Sequence, residues 1–188
     1  GDLRKISLET LCRVFGGNSG QWLFDMAIGK DERKVEPPGT AKSVGREQTF
    51  AKDIWDPACL EKELLRLADQ VSSRLRSKGL RGRSVTLKVK YADFLSLTRC
   101  VTLADATCHG PEIYKAARGL FRNLDNRGKA VRLLGVTVSH FEDGEKDQLL
   151  LFDDGGKKNL FRLNESLDKI RGKFGEESIL PGSLLEKK

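Results

Sequence analysis

The sequence predicts an α+β fold: a split β-α-β-β-α-β unit with a four-stranded sheet and two helices on one face, preceded by a short helical segment. Three observations predict it. Leu60, Leu64, Leu67, Ala68, Val71 and Leu75 recur at helical spacing. Ile113, Ala116, Ala117, Leu120, Phe121 and Leu124 do the same after Pro111. Between these runs Val85, Leu87, Val89 and Tyr91 alternate with Thr86, Lys88 and Lys90, the period of a strand with one buried face.

The elements follow in chain order. Residues 1–29 read as two short helices. Ser7 caps the first, whose Leu8, Leu11, Cys12 and Phe15 share a face before Gly16-Gly17. Asn18 or Ser19 starts the second, with Trp22, Leu23, Met26 and Ala27 inward and Gly29 as the stop. Two such helices close no core alone, so they read as the end of a helical domain. Residues 30–41 are charged and then Pro/Gly-rich without a period, and predict a linker. A strand is predicted over 42–51. Asp56 caps the helix that follows, with Pro57 in its first turn and Gly79 ending it. The strand through Val85–Tyr91 comes next, then a tight turn near Ala92-Asp93 and a strand from about Leu95 to Leu103. The second helix breaks at Asn126-Arg127-Gly128, and Arg132–Phe141 is the last strand.

After Phe141 an acidic stretch leads to Gln148-Leu149-Leu150-Leu151-Phe152, closed by Asp153-Asp154-Gly155-Gly156. A short amphipathic helix over 157–175 then carries Leu160, Leu163, Leu167, Ile170 and Phe174 on one stripe, which predicts a docking face. The domains expected are 1–29, a linker at 30–41, a sheet domain at 42–142 and a tail at 143–188.

Charge narrows the function. The chain has 188 residues and a net charge of +7. From Val71 to Tyr91 there are seven cations and no acid, whereas Glu142 to Asp154 holds six acids and one lysine. One-signed clustering across a helix end, a loop and a strand favours an anionic partner, nucleic acid before membrane. No apolar run reaches the length of a membrane span. Cys12, Cys59, Cys100 and Cys108 lack C-x-x-C spacing, with only His109 and His140 beside them. That argues against zinc and for reduced thiols in a cytoplasmic protein. The two histidines read as solvent or structural groups, and Trp22 and Trp55 as core or rim packing.

The candidate site starts at Lys42-Ser43-Val44-Gly45-Arg46-Glu47-Gln48-Thr49-Phe50. Two cations, hydroxyls and a glycine that permits close backbone approach are the groups that contact a phosphate backbone. Thr86, Lys88 and Lys90 point to the open sheet face if Val85, Leu87, Val89 and Tyr91 face the helices. The aromatic of that strand then lies inward, which argues for phosphate contact rather than base stacking. Strict alternation puts Arg99 with Leu97 and Val101, facing in, and leaves either a bulge or an edge position to explain it. Asp53 and Asp56 read as strand end and helix cap, and no acidic constellation suits catalysis.

These residues carry a resemblance. Lys42–Phe50 with Asp53-Ile54, the run Gly79–Phe94 with Leu97-Thr98-Arg99-Cys100, and Arg132-Leu133-Leu134-Gly135-Val136 resemble the little-finger domain of Y-family translesion DNA polymerases, most closely the bacterial DNA polymerase IV branch. Gly1-Asp2-Leu3 and the helices after it are similar to the end of that family's thumb domain. The resemblance covers nearly the whole chain. It implies a nucleotidyltransferase whose palm carboxylates hold two Mg2+ ions. That palm would lie upstream, so this chain would be the inactive DNA-gripping part and need no cofactor itself. It implies phosphate contacts of duplex primer-template DNA at Lys42, Ser43, Gly45 and Arg46, with Lys88, Lys90, Thr98 and Arg99 beside them and Arg81 and Arg83 as a second tier. The family often has Ser where Cys100 stands, which removes a hydroxyl there. Gln148-Leu149-Leu150-Leu151-Phe152 resembles the family's sliding-clamp motif, with Gln148, Leu149, Leu151 and Phe152 as the clamp contacts. On spacing alone a fifth strand or core segment is the favoured reading of that stretch. Its position between breakers, just after the last strand, favours the clamp. The expected state is a monomer without membrane contact. A stand-alone nucleic-acid-binding module of the same topology, or a pure interaction module, are the competing expectations.

Overall fold

The computed structural model describes residues 1–34, 39–124, 128–142 and 155–184, with the backbone alone for 155–161. The chain forms two compact units, Gly1–Thr40 and Ala41–Lys188. The first holds α1 (Leu8–Phe15) and α2 (Gly17–Ile28). Ser7 caps α1 by accepting a hydrogen bond from the Thr10 amide. Gly29 closes α2 in the left-handed region, as its position in the sequence predicts. α2 starts at Gly17, earlier than Asn18 or Ser19. Its Trp22 does not face inward but is 52% exposed. The reason is where the helices touch. Gly20 presses on the backbone of Leu11 and Cys12, leaving no room for a Cβ. Two residues further on, Trp22 is turned about 200° away from that contact.

The second unit runs β1 (Ser43–Ile54), α3 (Pro57–Ser77), β2 (Arg81–Tyr91), β3 (Ser96–Thr107), α4 (Gly110–Arg122), β4 (Val131–Glu142) and α5 (Gly155–Phe174). Asp56 caps α3 through the Ala58 amide, with Pro57 in the first turn, as the sequence predicts. The sheet order is β1-β4-β2-β3 and every neighbouring pair is antiparallel. β4 therefore lies between the codirectional β1 and β2, and β2 between β3 and β4, giving two interleaved split βαβ units. The strands exceed their predicted limits, β1 by an irregular end after Thr49 and β3 by a register shift opposite Gly82–Ser84.

One core joins α3 and α4 to one sheet face. Leu60, Leu64, Leu67, Val71 and Leu75 from α3 and Ile113, Ala117 and Phe121 from α4 meet Val44, Val85, Leu87, Val89, Tyr91, Leu134, Val136 and Val138. Burying each large apolar side chain stabilises by about 1.5–3 kcal/mol. Trp55 stands outside this core, 67% exposed.

α5 departs from the expectation. Its Leu163, Ile170 and Phe174 are exposed. The helix docks instead by polar groups, as Asp168 binds Arg76, Arg171 binds Asp69 at 2.7 Å, and Asn164 reaches the His109 imidazole at 3.0 Å. The surface that α3 and the start of α4 offer here is itself polar, with Asp69, Ser73, Arg76 and His109. It selects α5's polar stripe, since a half-buried charge without a partner is costly. His109 thus has a structural role. The Gln148–Phe152 stretch lies outside the described residues.

Candidate nucleic-acid interface

The sheet face opposite the helices is built by alternation and by register together. Four cross-strand rows cross it in the order β1-β4-β2-β3. They are Ser43–Ser139–Ser84–Thr102, Gly45–Thr137–Thr86–Cys100, Glu47–Gly135–Lys88–Thr98 and Thr49–Leu133–Lys90–Ser96. Most of these side chains are hydroxyls, joined by two lysines and one carboxylate. Apart from Ser84, which is buried, such a surface offers short donors and cations to phosphate oxygens, with Leu133 and the exposed Cys100 thiol as its least polar members.

Gly45 is required by a close approach. A Cβ there would overlap Thr137, whose Cβ would lie 3.1 Å away. The glycine keeps β1 tight against β4 and bares the backbone at the sheet edge. In the third row Glu47 crosses over Gly135 to Lys88, with both carboxylate oxygens 3.0 Å from Nζ. In the fourth row Lys90 Nζ lies 4.8 Å from the Phe94 ring centroid, and the Arg132 guanidinium lies 4.9 Å from the same ring. Phe94 forms the β2–β3 turn with a φ of 65°, a conformation an aromatic rarely adopts. It keeps two cations on one exposed ring.

The sequence-predicted residues divide into groups. Ser43, Gly45, Lys88, Lys90 and Thr98 share the open face. Lys42 immediately precedes β1. Arg46 and Arg99 do not share that face. Arg46 pairs with Val136 and Arg99 with Leu87, both inward positions, so the two arginines stand on the helix side at opposite edges of the sheet. There is no bulge at Arg99. The edge position lets its side chain reach solvent, and its guanidinium donates to the Thr98 carbonyl at 3.0 Å. Arg46 lines a cavity of about 270 Å³ with Gln70, Ser73, Arg74 and Glu176.

Arg81 and Arg83 have structural partners. Arg81 donates to the Ala106 carbonyl at 3.1 Å. Arg83 donates to those of Leu103 and Ala104 and pairs with Glu142. Both guanidiniums fasten the irregular end of β3. The predicted contacts Gln148, Leu149, Leu151 and Phe152 lie outside the described residues.

Three features escaped the sequence reading. The hydroxyls of β4, Thr137 and Ser139, alternate with Val136 and Val138 and were legible by the rule applied to β2. Arg132 and Phe94 had no local signal, because they meet only where the hairpin end folds back beside β4. The Glu47–Lys88 pair joins residues from two strands that follow each other in the chain but are not neighbours in the sheet, because β4 lies between them.

Residues 41–151 match the family described as impB/mucB/samB family C-terminal domain. The chain is also similar to curated proteins named DNA polymerase IV. That of Desulfatibacillum aliphaticivorans is 42% identical over 186 residues, 98% of this chain and 47% of the relative. That of Dehalococcoides mccartyi (strain ATCC BAA-2100) is 40% identical over 167 residues, 88% of this chain and 42% of the relative. That of Caulobacter vibrioides is 33% identical over 186 residues, 99% of this chain and 45% of the relative. The chain spans about half the length of these relatives.

Proposed function

The chain belongs to the impB/mucB/samB C-terminal-domain family, and from that premise we propose that it is the DNA-gripping C-terminal part of a translesion DNA polymerase. The observation that carries the reading is the open sheet face, whose four rows of hydroxyls and lysines suit a duplex backbone. Phosphate contacts position a protein without selecting a sequence, which a polymerase that acts anywhere on DNA requires. Lys42, Ser43, Gly45, Lys88, Lys90 and Thr98 make this seat, with Phe94 and Arg132 extending it at the hairpin end. Arg46 and Arg99 flank it and reach phosphates beyond the two sheet edges. Arg81 and Arg83 support it from behind by fixing β3.

The catalytic metal chemistry belongs to the longer protein. Among the described residues no cluster of His, Cys, Asp or Glu could hold a metal ion, and the palm of the resemblance would supply the Mg2+ sites. The stretch Gln148–Phe152 supplies the tether to the sliding clamp: a glutamine for a pocket rim and Leu151 and Phe152 as apolar anchors. The protein acts in the cytoplasm, as a monomer held on DNA by these two grips. Among the described residues no helix is long and apolar enough to cross a membrane.

The test is a salt titration of binding to a primer-template duplex and to a single strand of equal length. We expect duplex preference and an affinity that falls steeply with salt. Single-strand preference, or an affinity indifferent to salt, would overturn the duplex seat.

A further inference from the structure

We propose that Glu47 is a phosphate surrogate built into the sheet face: it holds Lys88 in a neutral pair and gives it up only when a duplex phosphate takes its place. The inference rests on reading the open face as the duplex seat.

The observation is the third row. Glu47 lies on the edge strand β1 and Lys88 on the interior strand β2, with β4 between them. Two strand spacings, roughly 9–10 Å, separate their backbones. The carboxylate spans that gap because the intervening position is Gly135. A Cβ at Gly135 would come 2.7 Å from Glu47 Cγ. Both oxygens then meet Nζ at 3.0 Å. Two oxygens on one ammonium is the arrangement a phosphate would offer the same lysine. Glu47 is the only acidic side chain in the four rows.

The neighbouring row shows the contrast. Lys90 is placed over Phe94 beside Arg132. A ring leaves the ammonium its full charge and its donors for a phosphate. The carboxylate takes both from Lys88. The pair is about 43% and 42% exposed, so water and salt screen it and exchange of one anion for another costs little. A phosphate that displaces Glu47 gains Lys88 but also meets a carboxylate within a screening length. Lys88 therefore adds position to the grip and little net affinity, which keeps a sequence-independent seat weak enough to move along DNA.

The experiment is a double-mutant cycle on duplex binding by the 188-residue chain, with Lys90→Ala as reference. Glu47→Gln should tighten binding about tenfold at roughly 0.1 M salt and steepen the log–log salt slope by about 0.9, one more cation engaged. Lys88→Ala should cost about tenfold in the Glu47→Gln background and only about twofold in the wild type. Gly135→Ala, once shown to be folded by circular dichroism, should displace the Glu47 side chain and tighten binding as Glu47→Gln does. Equal losses from Lys88→Ala in both backgrounds would overturn the proposal, since the gain would then come from net charge alone. An inert Glu47→Gln while Lys90→Ala still weakens binding would overturn it and leave the duplex seat standing. If Lys90→Ala were inert as well, the seat itself would be wrong.

Discussion

Asp168 of α5 grips the Arg76 guanidinium of α3 with both oxygens, at 2.6 Å to Nε and 2.7 Å to Nη2. Arg76 is 10% exposed at its side chain, and it also donates to Ser72 Oγ, which in turn donates to the Cys108 carbonyl at 2.7 Å. Burial is the largest influence on Arg76 and works to lower its pKa, but the hydrogen bond to Asp168 and the neighbouring negative charges, Asp168 and Asp69 among them, together outweigh it, so the group is held above its ordinary value. The tail helix is thus fastened to the sheet domain by charge rather than by its apolar stripe.

Asp168→Ala should free α5 while the sheet and α3 stay folded. Loss of charge-assisted bonds to a largely buried arginine costs about 1–3 kcal/mol. Hydrogen exchange checks it. Amides of α5 should lose protection and those of β2 and β4 should keep theirs. Uniform loss would show that α5 is part of one cooperative core.

Lys90→Ala should weaken duplex binding about 5- to 10-fold at roughly 0.1 M salt and make the salt slope shallower by about 0.9. Thermal stability should be unchanged, because the ammonium rests on an exposed ring. A titration of affinity against salt, beside a melting curve, separates the two.

Arg83→Ala should do the reverse. Its guanidinium donates to Leu103 and Ala104 across the β3 irregularity. Removing these bonds should cost about 1–2 kcal/mol of stability. Duplex affinity of the folded fraction should change less than twofold. A denaturant titration beside a binding titration checks it, and a large binding loss at full stability would make Arg83 a DNA contact.

Acid should loosen the two helices from each other. Glu61 of α3 accepts from Arg122 and Arg118 of α4 at 2.7 and 2.8 Å. The Arg122 bond, with that of Arg118 and the charges of both, holds the Glu61 pKa below the ordinary glutamate value against a smaller effect of burial. A depressed carboxylate stabilises the fold above the unfolded pKa. That contribution is complete above about pH 5 and is lost as the pH falls through the folded pKa. Glu61→Gln should remove it at neutral pH and flatten the acid limb of the stability curve. Denaturant midpoints between pH 3 and pH 7 measure this, and parallel curves for both proteins would disprove it.

Leu151→Ala with Phe152→Ala should abolish binding to the sliding clamp and leave duplex affinity within twofold. Surface plasmon resonance on immobilised clamp and on immobilised duplex reads both. Clamp binding that survived the double change would remove the motif from the tether.

What the sequence determined by itself is what depends on neighbours in the chain. The caps at Ser7 and Asp56, the run Leu60–Leu75 and the alternation through Val85–Tyr91 follow from contacts two, three or four residues apart, and the order of elements follows from them. The lysines and Thr86 of the open face were legible for the same reason. Tertiary structure alone decided the rest. Trp22 is exposed because α2 meets α1 at Gly20, α5 presents its polar side because α3 offers charges, and Arg46 stands off the open face because β1 pairs with β4 in one register. The pairing of Glu47 with Lys88 needs that register, the strand order and the missing side chain of Gly135 together. Strand order and register are set by the apolar surface that distant strands bury jointly, and a period read along one strand carries no information about its neighbour.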